Sequence, residues 1–168
     1  MHLIVIRHGE TLMNIDGRLQ GSKGPNEPLT AHGVEQITRL RDALLVTPTS
    51  IFASPLLRTQ QSAAILNERF LVPIVTRPEL MERDFGSLSG ALKSSIDPQL
   101  MEDDLEGRYD YRPYGGESVE DVKRRVLAFL SDLPLATEET ALVITHRGVI
   151  RVLCDLFPTQ VHPAEVLP

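Results

Sequence analysis

Three apolar stretches of this 168-residue chain run into the same kind of polar chemistry. Leu-Ile-Val-Ile at 3–6 is followed by Arg7, His8, Gly9 and Glu10. Ser-Ile-Phe-Ala at 50–53 leads through Ser54 and Pro55 to Arg58, and Ala-Leu-Val-Ile-Thr at 141–145 is followed by His146, Arg147 and Gly148. Taken singly, each Arg or His reads as a surface or hydrogen-bonded bystander; the repeated placement is what points to a site. Two guanidinium groups and two imidazoles gathered together make a positive pocket for a compact anion. Arginine's rigid fork grips phosphate oxygens through paired hydrogen bonds. A neutral imidazole can attack phosphorus directly, while the cations and the second imidazole stabilise charge on the equatorial oxygens. His8 is the better nucleophile of the two, because Gly9 beside it lets backbone approach closely.

The apolar runs are short, β-branched and bounded by polar residues, which predicts strands buried on both faces of a parallel sheet. Ligands of open α/β sheets sit beyond the carboxyl ends of the strands, which would bring Arg7, His8, Arg58 and His146 into one crevice. Between the strands, Thr30 caps a helix whose inner face carries Val34, Ile37, Leu40, Leu44 and Leu45. Ser54 is the expected cap of a second helix, with Pro55 at its first position. Arg58 then sits in the first turn, where it opposes the helix dipole by about 0.3–1 kcal/mol, a conflict that a bound anion removes. Ser118 and Asp121 resemble a capping box ahead of a third helix, with Val122, Val126, Leu127 and Leu130 as its buried stripe. A last helix is expected just after Gly148. Strands alternating with helices predict a layered α/β domain. Residues 87–116, with weak periodicity, turn formers and an acidic cluster, read as a mostly helical, lid-like excursion, and Gly and Pro mark 21–28 as a surface loop.

The length suits one domain over residues 1–168, and 42% hydrophobic with 24% charged residues suits a packed globular protein. A formal charge of -6 argues against a nucleic-acid partner. Cys154 is the one cysteine, so no intramolecular disulfide and no cysteine metal cage can form, and a reducing compartment is implied. The histidines are scattered and lack the His-Glu-x-x-His spacing; no metal or cofactor is expected. The first apolar run is too short for a secretory segment or a membrane span, so the expectation is a cytoplasmic protein without a membrane partner. Cys154 itself is expected to be buried in the last helix, and Gln160 stands where a cysteine phosphatase would need arginine. Residues 83–86, Arg-Asp-Phe-Gly, imitate a kinase metal-binding motif, but no phosphate-binding glycine loop precedes them.

Five motifs, Arg-His-Gly-Glu-Thr at 7–11 with Asn14 following, Ser-Pro-Leu-Leu-Arg-Thr-Gln-Gln-Ser-Ala at 54–63, Glu-Leu-Met-Glu-Arg-Asp-Phe-Gly-Ser-Leu-Ser-Gly at 79–90, Gly-Gly-Glu-Ser at 115–118 and Thr-His-Arg-Gly-Val-Ile-Arg at 145–151, together resemble the histidine phosphatase superfamily, the phosphoglycerate mutase-like group. The resemblance covers about residues 1–157. It implies a three-layer α/β sandwich with a mostly parallel central sheet flanked by helices. It makes His8 the nucleophile that becomes phosphohistidine, with Arg7, Arg58 and His146 as its phosphate clamp and Asn14 as a further phosphate contact. Glu82 matches the family's acid/base, a role for which a carboxyl held partly protonated near neutral pH is expected. Gln20 and Gly21 match a turn that borders the pocket. Arg83 has two open readings, contact with a substrate carboxylate or second phosphate, and a solvated side chain. Glu117 and Ser118 match the Gly-Glu-Ser motif, although Ser118 has a sufficient role as a helix cap.

Two positions depart from the family pattern. Arg147 stands where glycine or another small residue is common, leaving a phosphate contact and a solvent-facing side chain both open. The family also usually continues into another strand, whereas here Val-His-Pro-Ala-Glu-Val-Leu-Pro ends the sequence. The leading function is a metal-independent phosphatase acting on a small phosphomonoester such as a sugar phosphate or phosphoglycerate, with a monomer or homodimer expected. The alternatives are a cofactor-dependent phosphoglycerate mutase and a non-catalytic phospho-ligand binder.

Overall fold

A computed structural model of the chain describes residues 2–134, 136 and 138–158. Its strands are β1 (His2–Arg7), β2 (Ser50–Ala53), β3 (Ile74–Thr76) and β4 (Thr140–Thr145). Its α-helices are α1 (Leu12–Ile15), α2 (Ala31–Ala43), α3 (Leu57–Phe70), α4 (Pro98–Leu105), α5 (Val119–Ser131) and α6 (Arg147–Leu156). The sheet is parallel throughout in the order β1-β4-β2-β3, and the three expected apolar runs form β1, β2 and β4. β3 was not expected. It is three residues long and exposed along its length, so it carries no apolar run to read.

Alternation along β4 divides the core into two layers. Ala141 and Val143, with Leu3, Val5 and Phe52, pack against Val122, Val126 and Phe129 of α5 and Val149 and Val152 of α6. Leu142 and Ile144, with Ile4, Ile6, Ile51 and Ala53, pack against Ile37 of α2 and Ala63 and Leu66 of α3. Helices thus cover both faces of the sheet, a three-layer α/β sandwich, and each fully buried aliphatic or Phe side chain contributes about 1.5–3 kcal/mol. The Phe52 and Phe129 rings meet edge to face at 5.6 Å.

The caps at Thr30 and Ser118 are present. Thr30 Oγ1 accepts from Gly33 N at 2.9 Å. Ser118 Oγ accepts from Asp121 N at 3.3 Å, and the Asp121 carboxylate accepts from Ser118 N at 3.0 Å. The stripes are narrower than expected. On α2, Ile37 is buried and Leu40 and Leu44 are partly so, but Val34 is 42% exposed and Leu45, beyond the helix end, 93%. On α5 the i, i+4, i+7 row ends in Phe129, which leaves Leu127 exposed. α6 begins two residues early, with His146 as its cap, and buries Val149, Val152 and Leu153; Cys154 falls off that row and is exposed rather than buried.

Between β3 and α5 the chain makes α4 and 3-10 turns at Gly86–Leu88, Lys93–Ser95 and Arg112–Tyr114. This is the excursion expected over 87–116, shorter in regular helix than anticipated. No helix among the described residues is long and apolar enough to cross a membrane. The final segment, 161–168, on which the missing strand was argued, lies outside the described residues.

Candidate active site

Arg7 and Thr145 are register partners at the ends of β1 and β4, so the next residue of each strand leaves the sheet at the same level. Those residues are His8 and His146, whose ring centroids stand 5.1 Å apart. Gly9 then turns tightly against α2, where any Cβ would run into the Gly33 carbonyl and Ile37.

His8 is buried, and its Nδ1 lies 2.7 Å from the carbonyl oxygen of Gly9. A carbonyl only accepts, so the neutral ring carries its proton on Nδ1 and keeps a lone pair on Nε2. Arg58 Nε donates to that lone pair at 3.3 Å. Burial, reinforced by the Arg58 and Arg7 charges and opposed by the Gly9 carbonyl, pulls the His8 pKa from 6.5 to about 3. The ring is therefore neutral across the physiological range.

Arg58 is the second residue of α3 and is 1% exposed, with Nη2 donating to the Gly21 carbonyl at 3.0 Å. Burial lowers its pKa to about 10, which still leaves it charged. Gly21 turns with φ +62°, a conformation that favours glycine. Ser54 does not cap α3, which starts at Leu57. Its hydroxyl sits 2.9 Å from His146 Nε2 instead, because β2 and β4 are neighbours and bring Ser54 under the second imidazole. His146 is wholly buried, its Nδ1 has no partner among the described residues, and burial with the Arg58 charge holds it well below the usual histidine range.

Glu82 arrives from the loop after the 3-10 turn Pro78–Leu80. One carboxylate oxygen accepts from Arg83 N at 2.9 Å, the other from Gly148 N at 3.4 Å in the first turn of α6. A Cβ on Gly148 would collide with Glu82 Oε1, so glycine here admits the carboxylate. Burial raises the Glu82 pKa, but Arg83, the two backbone N–H groups and Arg58 outweigh it, and the net direction is down. The direction is thus opposite to the expected partly protonated carboxyl: Glu82 lies below the usual carboxylate range.

These groups border a cavity of about 150 Å³ whose lining includes Arg7, His8, Arg58 and Glu82, with Asn14, Gln20 and Gly21 on one side and Arg147 on another. His146, tilted against the His8 ring, is not part of that lining. Asn14 Oδ1 accepts from Thr11 N at 3.3 Å, while Gln20 is buried with Oε1 held by Thr11 Oγ1 and Nε2 unpartnered among the described residues. Arg147 is exposed at the start of α6. Arg83 also lines the cavity, but it is 6% exposed rather than solvated, bonded to Asp104 and placed over the rings of Phe85 and Tyr109. Glu117 serves structure, accepting from Asp84 N and Arg125.

Sequence reasoning missed Arg18, Lys93, Asp104 and Arg151, which complete the wall. The "GALK" stretch and the repeated Arg of "HRGVIR" carry no signal of convergence, since only the excursion folding back on α6 brings them together. Seven cations, Arg7, Arg18, Arg58, Arg83, Lys93, Arg147 and Arg151, face two carboxylates, Glu82 and Asp104, on a chain of net charge -6. Such a cavity traps anions.

The sequence profile of the histidine phosphatase superfamily (branch 1) matches residues 3–166. The chain is 36% identical over 163 residues to the 2,3-bisphosphoglycerate-dependent phosphoglycerate mutase of Rhizobium etli, covering 90% of this chain and 77% of that protein. It is 34% identical over 162 residues to the adenosylcobalamin/alpha-ribazole phosphatase of Escherichia coli, covering 91% and 77%. Among solved structures, a mycobacterial glucosyl-3-phosphoglycerate phosphatase in complex with VO3 superposes with TM-score 0.82 at 26% identity, covering 95% of this chain and 83% of that one. A doubly covered parallel sheet with two imidazoles at adjacent strand ends defines a phosphoglycerate mutase-like α/β fold. The chain belongs to the histidine phosphatase superfamily (branch 1), as an enzyme of the histidine phosphatase type.

Proposed function

We propose that this protein hydrolyses a small phosphomonoester through a phosphohistidine on His8. The observation that carries the reading is the His8 ring, held neutral with its Nε2 lone pair at the cavity beside the Arg58 guanidinium. Nε2 attacks phosphorus as the bond to the ester oxygen breaks, while Arg58 and Arg7 hold the phosphoryl oxygens and His146 packs against the attacking ring. The charge of the entering phosphate raises the proton affinity of Glu82, which takes up a proton and delivers it to the leaving oxygen. The carboxylate so regenerated accepts a proton from water as that water attacks the phosphohistidine, releasing inorganic phosphate and neutral His8.

The cations beyond the phosphoryl clamp support a substrate with a second anionic group. Lys93 and Arg147 line the cavity and have no carboxylate partner among the described residues. The exposure of Arg7, Lys93 and Arg147, which line the cavity, supports hydrolysis over phosphoryl transfer between substrates, since a transfer enzyme must shield its phosphohistidine from water. A panel of phosphorylated sugars, hydroxy acids and amino acids, read by phosphate release, tests this. His8→Ala is expected to abolish both turnover and an acid-labile phosphoenzyme; labelling of the variant overturns the choice of nucleophile. Isomerised product without free phosphate would favour the mutase reading.

A further inference from the structure

Asp104 occupies the last turn of α4 and is 3% exposed. A carboxylate so buried persists only with donors around it, and here they come from separate parts of the chain. Arg83 Nη2 reaches both of its oxygens, at 2.7 and 2.6 Å; Tyr111 Oη donates at 2.6 Å; Arg151 Nη1 of α6 donates at 3.2 Å. Burial and Asp104 itself push the Tyr111 hydroxyl up, which keeps it a donor.

Arg83 is only half satisfied by this arrangement. Its Nε and Nη1 are buried with no partner among the described residues. A Cβ on Gly148 would strike both Arg83 Nη1 and Glu82 Oε1, so the free edge of the guanidinium and the carboxylate lie around one point. Yet the Glu82 oxygens accept from backbone N–H groups of Arg83 and Gly148, while the guanidinium is turned to Asp104.

We infer that Asp104 is a positioning residue, which holds the Arg83 guanidinium away from Glu82 and so leaves that carboxylate able to take up and deliver a proton. The inference rests on Glu82 being the proton carrier proposed above. Released from Asp104, Arg83 would turn its unpaired N–H groups onto Glu82 and close a charge-assisted pair that favours the ionised form. Three other groups facing Glu82 have no bond to Asp104: His8 at the end of β1, Arg58 on α3 and Tyr109 in the excursion; Arg151 on α6 loses its Asp104 partner together with Arg83 and, as a cation, favours ionised Glu82 in the same direction. Arg83 is the neighbour that Asp104 controls most directly.

The test is the pH dependence of phosphoenzyme formation with an alkyl phosphate, whose leaving oxygen needs a proton, and an aryl phosphate, whose leaving oxygen does not. Asp104→Asn is expected to move the alkaline limb for the alkyl ester to lower pH, with a loss of about tenfold on that limb, and to leave the aryl ester nearly unchanged. Asp104→Glu should keep most of the wild-type profile. The double variant Arg83→Gln/Asp104→Asn should return the limb to the wild-type position or above, and it remains the decisive protein should the single variant fail to fold. An unmoved limb in Asp104→Asn, an equal loss on both esters, or a double variant with its limb below wild type each overturns the inference. Glu82→Gln in the same assay separates the two levels. Equal slowing of both esters by that variant removes the proton carrier itself, whereas selective slowing of the alkyl ester with an unmoved limb in Asp104→Asn removes the role of Asp104 alone.

Discussion

A neutral imidazole attacks only through the nitrogen that carries no proton, and in His8 the Gly9 carbonyl settles which one that is. Glu82 is its chemical counterpart in the proposed reaction, a carboxylate that Arg83, Arg58 and two backbone N–H groups hold below its usual range against the effect of burial. Glu82→Gln is expected to slow alkyl phosphates by about 100-fold or more and activated aryl phosphates far less, measured as turnover on the paired esters. Equal slowing would remove the proton-donating role. At this scale the sequence was informative about residue identity and silent about state. The motif around Glu82 is readable, but its ionisation depends on Arg83, Arg58 and the Gly148 N–H, which meet only in three dimensions. Asp104 was hidden for the same reason: an acidic residue in an acidic stretch reads as solvated until the excursion folds over α6.

The first turn of α6 is the element on which the site converges. It supplies the cap residue His146, the exposed Arg147 and the N–H of Gly148 that holds Glu82. Gly148→Ala suits a helix better than glycine does, and the atoms it would displace are the ends of two flexible side chains. Stability is therefore expected to change by less than about 1 kcal/mol in thermal denaturation, while turnover falls by about tenfold or more as Glu82 and Arg83 are pushed aside. Unaltered turnover would show that the carboxylate does not need this seat. Buried strands announce themselves through apolar runs, which is why β1, β2 and β4 were legible and exposed β3 was not. Ser54 was misassigned because the cap pattern Ser-Pro is local, whereas its bond to His146 depends on which strands are neighbours.

Over the whole molecule, the two buried imidazoles link activity to acid stability. The His8 pKa is 6.5 unperturbed and about 3 in the fold. Between those values the unfolded chain binds a proton that the folded chain refuses, so stability is full above 6.5 and is lost as pH falls toward 3, by at most about 1.4 kcal/mol per pH unit for each such group. His146 acts in the same direction. His8→Asn is expected to flatten the fall in melting temperature through this window, and an unchanged slope would show that His8 is not buried neutral. The cation-rich cavity on a chain of net charge -6 was anticipated from the arginines at strand ends, but its full extent was not, because Lys93 and Arg151 belong to elements whose meeting no local pattern encodes.

The order β1-β4-β2-β3 carries a consequence for how the protein comes into being. The strand that joins β1 to β2 is the last of them to leave the ribosome, and it brings the second imidazole with it. β1 and β2 pair with β4 and not with each other, so the sheet that sets His8 beside His146 cannot form before β4 is available. The chemistry proposed for His8 therefore waits on the insertion of β4 between β1 and β2.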